Sequence, residues 1–167
     1  MAPPFALRLV LCLVLAFLLG KPAVAVEPHL TTGYQFSLYL EGDGTVWAWG
    51  SNGSYQLGLG DNTSRSTPTR VTGISDVIAL SAGFYHVVAL KADGTVWVWG
   101  RNAEGQKGDG TTGGFITVPT QVSGLERIIS VGAGGYHCFA LQQGGTLRGW
   151  GGNANGQVGV GSAAATI

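Results

Sequence analysis

The chain has 167 residues, room for one ordinary domain, and nine Lys+Arg balance nine Asp+Glu. With no net charge, nothing steers it onto nucleic acid or an anionic membrane surface. At 45% hydrophobic and 11% charged it is too apolar for disorder, and its 29 glycines lack the G-X-Y period of collagen. So much glycine beside five tryptophans points to tight turns between short strands.

In chain order, the first expected element is a leader. Arg8 precedes an apolar run from Leu9 to Leu19; Gly20, Lys21 and Pro22 break it, and Ala23-Val24-Ala25 offers a small-x-small cleavage signal. This pattern predicts a secretory signal peptide over 1–25, cut after Ala25. An anchor retained in the membrane is disfavoured, because eleven apolar residues fall short of a bilayer core of roughly 30 Å. The expectation is an exported or periplasmic protein with no stable membrane insertion after cleavage. Cys12 leaves with the leader, so Cys138 remains as the single cysteine of 26–167. Its apolar, strand-like setting reads as a buried structural thiol rather than a nucleophile.

The remainder repeats every 50 or 51 residues, and the repeat decides the reading. Gly44-Thr45-Val46-Trp47-Ala48-Trp49-Gly50 recurs as Gly94-Thr95-Val96-Trp97-Val98-Trp99-Gly100, then in decayed form as Gly145-Thr146-Leu147-Arg148-Gly149-Trp150-Gly151. Asn52, Asn102 and Asn153 follow at equal distance, then Gln56, Gln106 and Gln157. Upstream, Gly83-Phe84-Tyr85-His86 matches Gly134-Gly135-Tyr136-His137, and Gly33 to Leu40 is a weaker third copy. Within a unit, Tyr85–Leu90, an Asp93-Gly94 turn and Thr95–Trp99 read as a hairpin. Val77–Leu80 adds a short strand, and Thr69–Val71 a shorter one behind Pro68. Four short strands in about 50 residues is the content of one propeller blade. The expected class is all-β, with units near 30–80, 81–131 and 132–167, the last incomplete.

These pieces resemble the repeat of the regulator-of-chromosome-condensation (RCC1-like) family: Gly-x-x-His-x-x-Ala-Leu (Gly83, His86, Ala89, Leu90), the Asp-Gly-x-Val-x-x-Trp-Gly hairpin and the Asn-x-x-Gly-Gln-x-Gly loop. Kelch repeats, of similar period, carry a Gly-Gly doublet in each unit, whereas here Gly134-Gly135 supplies it in one copy of this repeat position and the other copies lack it. The resemblance implies a seven-bladed β-propeller, of which this chain holds a little under three blades. The remaining blades are expected from the same chain, of which this is then an N-terminal piece, or from oligomerisation.

Trp49, Trp99 and Trp150 share one repeat position and read as packing between blades, although a stacking platform for sugars or bases is the sharper alternative. Arg148 replaces Trp47 and Trp97, so that position is the less constrained and could face the surface. Gly50, Gly100 and Gly151 are the repeated glycines after them. His86 and His137 are equivalent to Phe36, which cannot ligate a metal, so they read as structural histidines with hydrogen-bonded ring nitrogens. Gly108 to Gly113 satisfies the dinucleotide fingerprint formally but lacks the strand-to-helix setting that binds phosphate. The Asp43-Gly44 and Asp93-Gly94 pairs are turn formers, without the oxygen set calcium requires. No cofactor or metal is expected. Asn52 and Asn62 open N-glycosylation sequons.

No nucleophile–base set stands out, so the expectation is a non-enzymatic scaffold binding another protein. Its binding residues should lie where the repeats differ, over 62–67 and 111–117, with Asn62, Arg65, Thr111, Thr112 and Phe115 as candidates. The resemblance also brings in guanine-nucleotide exchange factors for a nuclear small GTPase, which the leader and the neutral charge disfavour. A secreted relative that inhibits β-lactamase is similar in its expected mode of action. The rival is an extracellular enzyme or carbohydrate binder whose active residues lie beyond Ile167.

Overall fold

A computed structural model describes residues 26–159; the expected leader, and the end of the third unit from 160 onward, lie outside the described residues. Eleven strands form three antiparallel sheets, and the described residues contain no helix. The first sheet runs β1 (His29–Thr32), β2 (Phe36–Leu40), β3 (Val46–Gly50), β4 (Arg65–Arg70), in that spatial order. The second repeats it as β5 (Val77–Ala82), β6 (His86–Lys91), β7 (Val96–Arg101) and β8 (Phe115–Gln121). The third has β9 (Ile128–Ala133), β10 (His137–Gln142) and β11 (Leu147–Gly151). Each sheet is one blade of a β-propeller, so the all-β expectation holds.

The phase of the repeat differs from the units expected from sequence. Val77–Leu80 does not close the first unit but opens the second sheet, pairing with β6 from Val77↔Lys91 to Ala82↔Val87. Two residues, Asp76 and Arg127, take left-handed backbone (φ 57° and 52°) immediately before β5 and β9. This kink turns the chain from the outer strand of one blade to the first strand of the next.

Each central hairpin is built by its turn. Gly94 (φ +81°) donates its N–H to the Lys91 carbonyl, and Asp93 accepts the N–H of Thr95. Asp43 and Thr45 repeat this geometry. The accepted bonds hold the Asp93 carboxyl below its usual range, chiefly through the Thr95 hydroxyl, and the Asp43 carboxyl through the Thr45 N–H.

Strand alternation then sorts the side chains between faces. In the first blade Leu38, Leu40, Val46 and Ala48 are fully buried, whereas Ser37, Tyr39, Trp47 and Trp49, on the opposite face, remain partly exposed. The second blade buries both faces: Val88, Leu90, Val96 and Val98 on one, Val87, Ala89 and Trp99 on the other. The third blade buries Cys138, Ala140 and Trp150 and leaves Phe139, Leu141 and Leu147 at least partly open. Burial pushes the Cys138 thiol far up, so it stays protonated and inert.

Candidate functional site

Strand direction places the β1–β2, β5–β6 and β9–β10 turns and the long loops after β3, β7 and β11 on one rim. The loops are held from inside by the recurring amides. Asn52 Oδ1 accepts the N–H of Leu57 at 3.0 Å, while its Nδ2 donates to the carbonyls of Asp61 and Thr63 at 2.7 and 3.1 Å. Asn102 does the same with Lys107, Thr111 and Gly113. Gln56 and Gln106 accept the N–H groups of Ser54 and Glu104. Asn52 is fully buried, so the sequon it opens is closed to a glycan; Asn62 is exposed.

A second set of bonds joins blade to blade. The indole Nε1 of Trp99 donates to the Gln56 carbonyl of the first blade at 3.0 Å, and that of Trp150 to the Gln106 carbonyl of the second at 2.8 Å. These indoles are buried packing elements, not a stacking platform. Trp49 shares their repeat position, yet its indole has no hydrogen-bond partner among the described residues and stays partly exposed. Along the rim, the N–H of Tyr34 donates to the Phe84 carbonyl and the N–H of Phe84 to that of Gly135, at 3.1 and 3.0 Å. Gly50 and Gly151 end β3 and β11, and Gly100 is the last residue but one of β7, all three with positive φ. A Cβ on Gly100 would lie 2.4 Å from the Tyr85 carbonyl.

The histidines follow a different rule from the one expected. His86 is fully buried and neither ring nitrogen has a hydrogen-bond partner. Its ring lies against Gly83, where a Cβ would come within 2.6 Å of both the imidazole and the Gly134 carbonyl. Phe36 lies against Gly33 in the same way. Burial desolvates the ring and holds His86 down at about 4. Desolvation lowers His137 as well. His137 is only half-buried and stands edge-on to Phe139. No group of three potential metal ligands occurs among the described residues.

What the rim offers outward is aromatic. Tyr34 packs edge-on against Tyr85, and Phe84 against Tyr85 and Tyr136. Phe84 is nevertheless 48% exposed, and Tyr34 and Tyr136 are exposed beside it. The Arg101 guanidinium stands between two of these rings, 5.9 Å from Tyr85 and 5.8 Å from Tyr136, and is paired with Glu104 at 3.1 Å. A groove of about 310 Å³ lies along Tyr34, Phe84 and the glycines beneath them, and one of about 610 Å³ between Glu104, Thr112, Tyr136 and Gln157.

The residues expected to bind a partner lie on this same rim, outside the aromatic row. Asn62, Thr111 and Thr112 are exposed in loops. Arg65 and Phe115 are not loop residues: they open β4 and β8. Arg65 is tied to Asp61 at 2.7 Å, which holds that carboxyl below its usual range, and Phe115 packs on Tyr55 at 5.3 Å between ring centres. Thr111 and Phe115 line a groove of about 360 Å³. Lys107 and the Thr111 hydroxyl and N–H hold Asp109 well below the usual carboxylate range. Arg101 lies outside every recurring motif: its repeat equivalents are Ser51 and Gly152.

Fold and rim together define a chain of consecutive β-propeller blades. Its repeats match the model of the regulator of chromosome condensation (RCC1) repeat over residues 43–90 and 93–141, and a second RCC1 repeat model over 29–56, 77–106 and 128–157. The chain belongs to the RCC1 repeat family. It is 39% identical over 149 residues to the human probable E3 ubiquitin-protein ligase HERC6, covering 84% of this chain and 15% of the ligase. To the ultraviolet-B receptor UVR8 of Arabidopsis thaliana it is 36% identical over 137 residues, covering 79% of this chain and 31% of the receptor. Human WBSCR16 superposes with a TM-score of 0.70 at 25% identity, over 87% of this chain and 39% of that one. Yeast RCC1 (Prp20), solved bound to Kap60, gives 0.72 at 24% identity, over 85% and 36%. The chain thus spans well under half of each of these proteins.

Proposed function

We propose that the chain acts as an exported, non-enzymatic scaffold that binds a protein partner across the aromatic rim. The observation that carries this reading is the row of Tyr34, Phe84 and Tyr136, exposed side by side with Arg101 set between two tyrosines. Aromatic residues and arginine are the side chains that dominate protein–protein binding energy. The main-chain bonds between turns hold the row in place, so a partner meets a pre-ordered surface and less entropy is lost on binding. A relative that the fold resembles, yeast RCC1 (Prp20), is seen bound to the protein Kap60. Export rests on the leader pattern of residues 1–25.

Proximity labelling in the source cells, comparing the native chain with Phe84→Ser/Tyr136→Ser, tests the rim. A partner captured by the native chain and lost from the rim variant is expected; equal capture by both would sink the reading. N-terminal sequencing of the secreted protein should begin at Val26, and a product retained in the cell with Met1 intact would overturn export.

A further inference from the structure

The two glycosylation sequons of the chain, Asn52-Gly53-Ser54 and Asn62-Thr63-Ser64, lie in one loop and meet opposite surroundings there. Asn52 is fully buried, and its Nδ2 donates to the carbonyls of Asp61 and Thr63. Both amide hydrogens are in use, so a sugar on that nitrogen would replace a clamp bond and have no space to enter. Asn62 is the reverse. It is exposed, and its side-chain amide has no hydrogen-bond partner among the described residues. Asp61 Oδ1 accepts the N–H of Thr63 at 2.8 Å, a tight turn with Asn62 at its apex. The Arg65 guanidinium donates to the Thr63 carbonyl at 2.6 Å and to the Asp61 carboxylate at 2.7 Å. The residues on either side of Asn62 are thus fixed while its own amide is free.

This exposure does not depend on which blades flank the loop. Thr112 holds the position of Asn62 in the second blade, since Asn102 reaches the carbonyls of Thr111 and Gly113 as Asn52 reaches those of Asp61 and Thr63. On the following side Asn62 has the second blade, whose four strands are all described. On the preceding side Thr112 has the first blade, and it is exposed all the same.

We propose that Asn62 carries an N-linked oligosaccharide in the exported protein and that Asn52 carries none, an inference that rests on the export reading of residues 1–25. In the transfer, Asn62 Nδ2 attacks the anomeric carbon of a lipid-diphosphate-linked oligosaccharide. The N–C bond forms as the bond from that carbon to the phosphate oxygen breaks. The lipid diphosphate leaves with the electron pair, and one amide proton passes to a base of the transferase, with no change of oxidation state. Either sequon is open in an unfolded chain, so the choice between them falls at folding. A chain modified at Asn52 cannot close the loop, whereas one modified at Asn62 closes it unchanged.

The test is peptide mapping of the protein recovered from the medium of the source cells, before and after peptide N-glycosidase, which leaves an acid where a glycan stood. The tryptic peptide that ends at Arg65 carries both sequons, and its fragmentation tells them apart. A glycan at Asn62 and a bare Asn52 are expected. Asn62→Gln should be exported without sugar, and Ser64→Thr, which keeps the hydroxyl, should retain it. Ser54→Ala, which deletes the Asn52 sequon but leaves the clamp, should change nothing. An exported chain bare at Asn62 would overturn the inference and leave the export reading standing. A glycan lost with Ser54→Ala would overturn it as well, by placing the sugar on Asn52. A product retained in the cell with Met1 intact would overturn the export reading and this inference with it.

Discussion

The second blade and the first have nearly the same hairpin sequence and different surroundings. Trp49 and Trp99 occupy one repeat position, yet Trp99 is fully buried and bonded to Gln56 while Trp49 is partly exposed. The pair teaches that in a stacked fold a residue's energetic weight comes from the blade beside it as much as from the blade that bears it. Removing the ring should therefore cost very different amounts at the two sites. Trp99→Ala should lose about 3–5 kcal/mol, the usual range for a buried tryptophan, and Trp49→Ala about 1 kcal/mol or less. Urea titrations of the two variants would measure the gap; equal losses would break the comparison.

Proton linkage sharpens the contrast between Phe36 and His86, which fill equivalent slots. The folded chain holds His86 down at about 4, whereas an unfolded histidine titrates near 6.5. Between those values the unfolded state binds more protons, so stability is full above about pH 6.5 and falls as the pH drops toward 4, by about 3 kcal/mol. His86→Phe, copying the first blade, should remove most of that slope. Urea midpoints at neutral and mildly acidic pH would show it, and an unchanged slope in the variant would place the acid sensitivity elsewhere.

Smaller effects are expected in the loops. Asn102→Ala leaves the Lys107 N–H and two loop carbonyls without their partner and should cost about 1–3 kcal/mol. Amide exchange over 103–114 should speed up while the strands keep their protection. Least of all, Phe84→Ser should alter stability by no more than about 0.5 kcal/mol, as an exposed residue does. A large loss there would mean that the aromatic row is structural rather than a surface for a partner.

The strands themselves were plain in the sequence. Alternation around Asp43-Gly44 and Asp93-Gly94 is a local signal, and the β2–β3 and β6–β7 hairpins form where it points. The phase of the unit was not, since a period gives spacing without saying where a sheet begins, and Val77 to Ala82 pairs forward with β6 instead of backward with β4. His86 recurs visibly at a repeat position, but whether its ring nitrogens find partners depends on the neighbouring blade, and in the fold they find none. Asn52 and Gln56 recur visibly, while the role of Asn52 as a loop clamp depends on carbonyls nine and eleven residues away. Arg101 could have been noticed only as a charge interrupting a repeat position otherwise small, since both its rings come from other turns.

The chain of bonds that runs through Tyr34, Phe84 and Gly135 uses main-chain atoms alone. Any residue that keeps an N–H can stand at 34 or 84 without loosening the joint, and only proline is barred. The aromatic surface proposed to meet a partner is thereby uncoupled from the framework beneath it. Selection can rewrite recognition on this rim one side chain at a time, at almost no cost to the architecture.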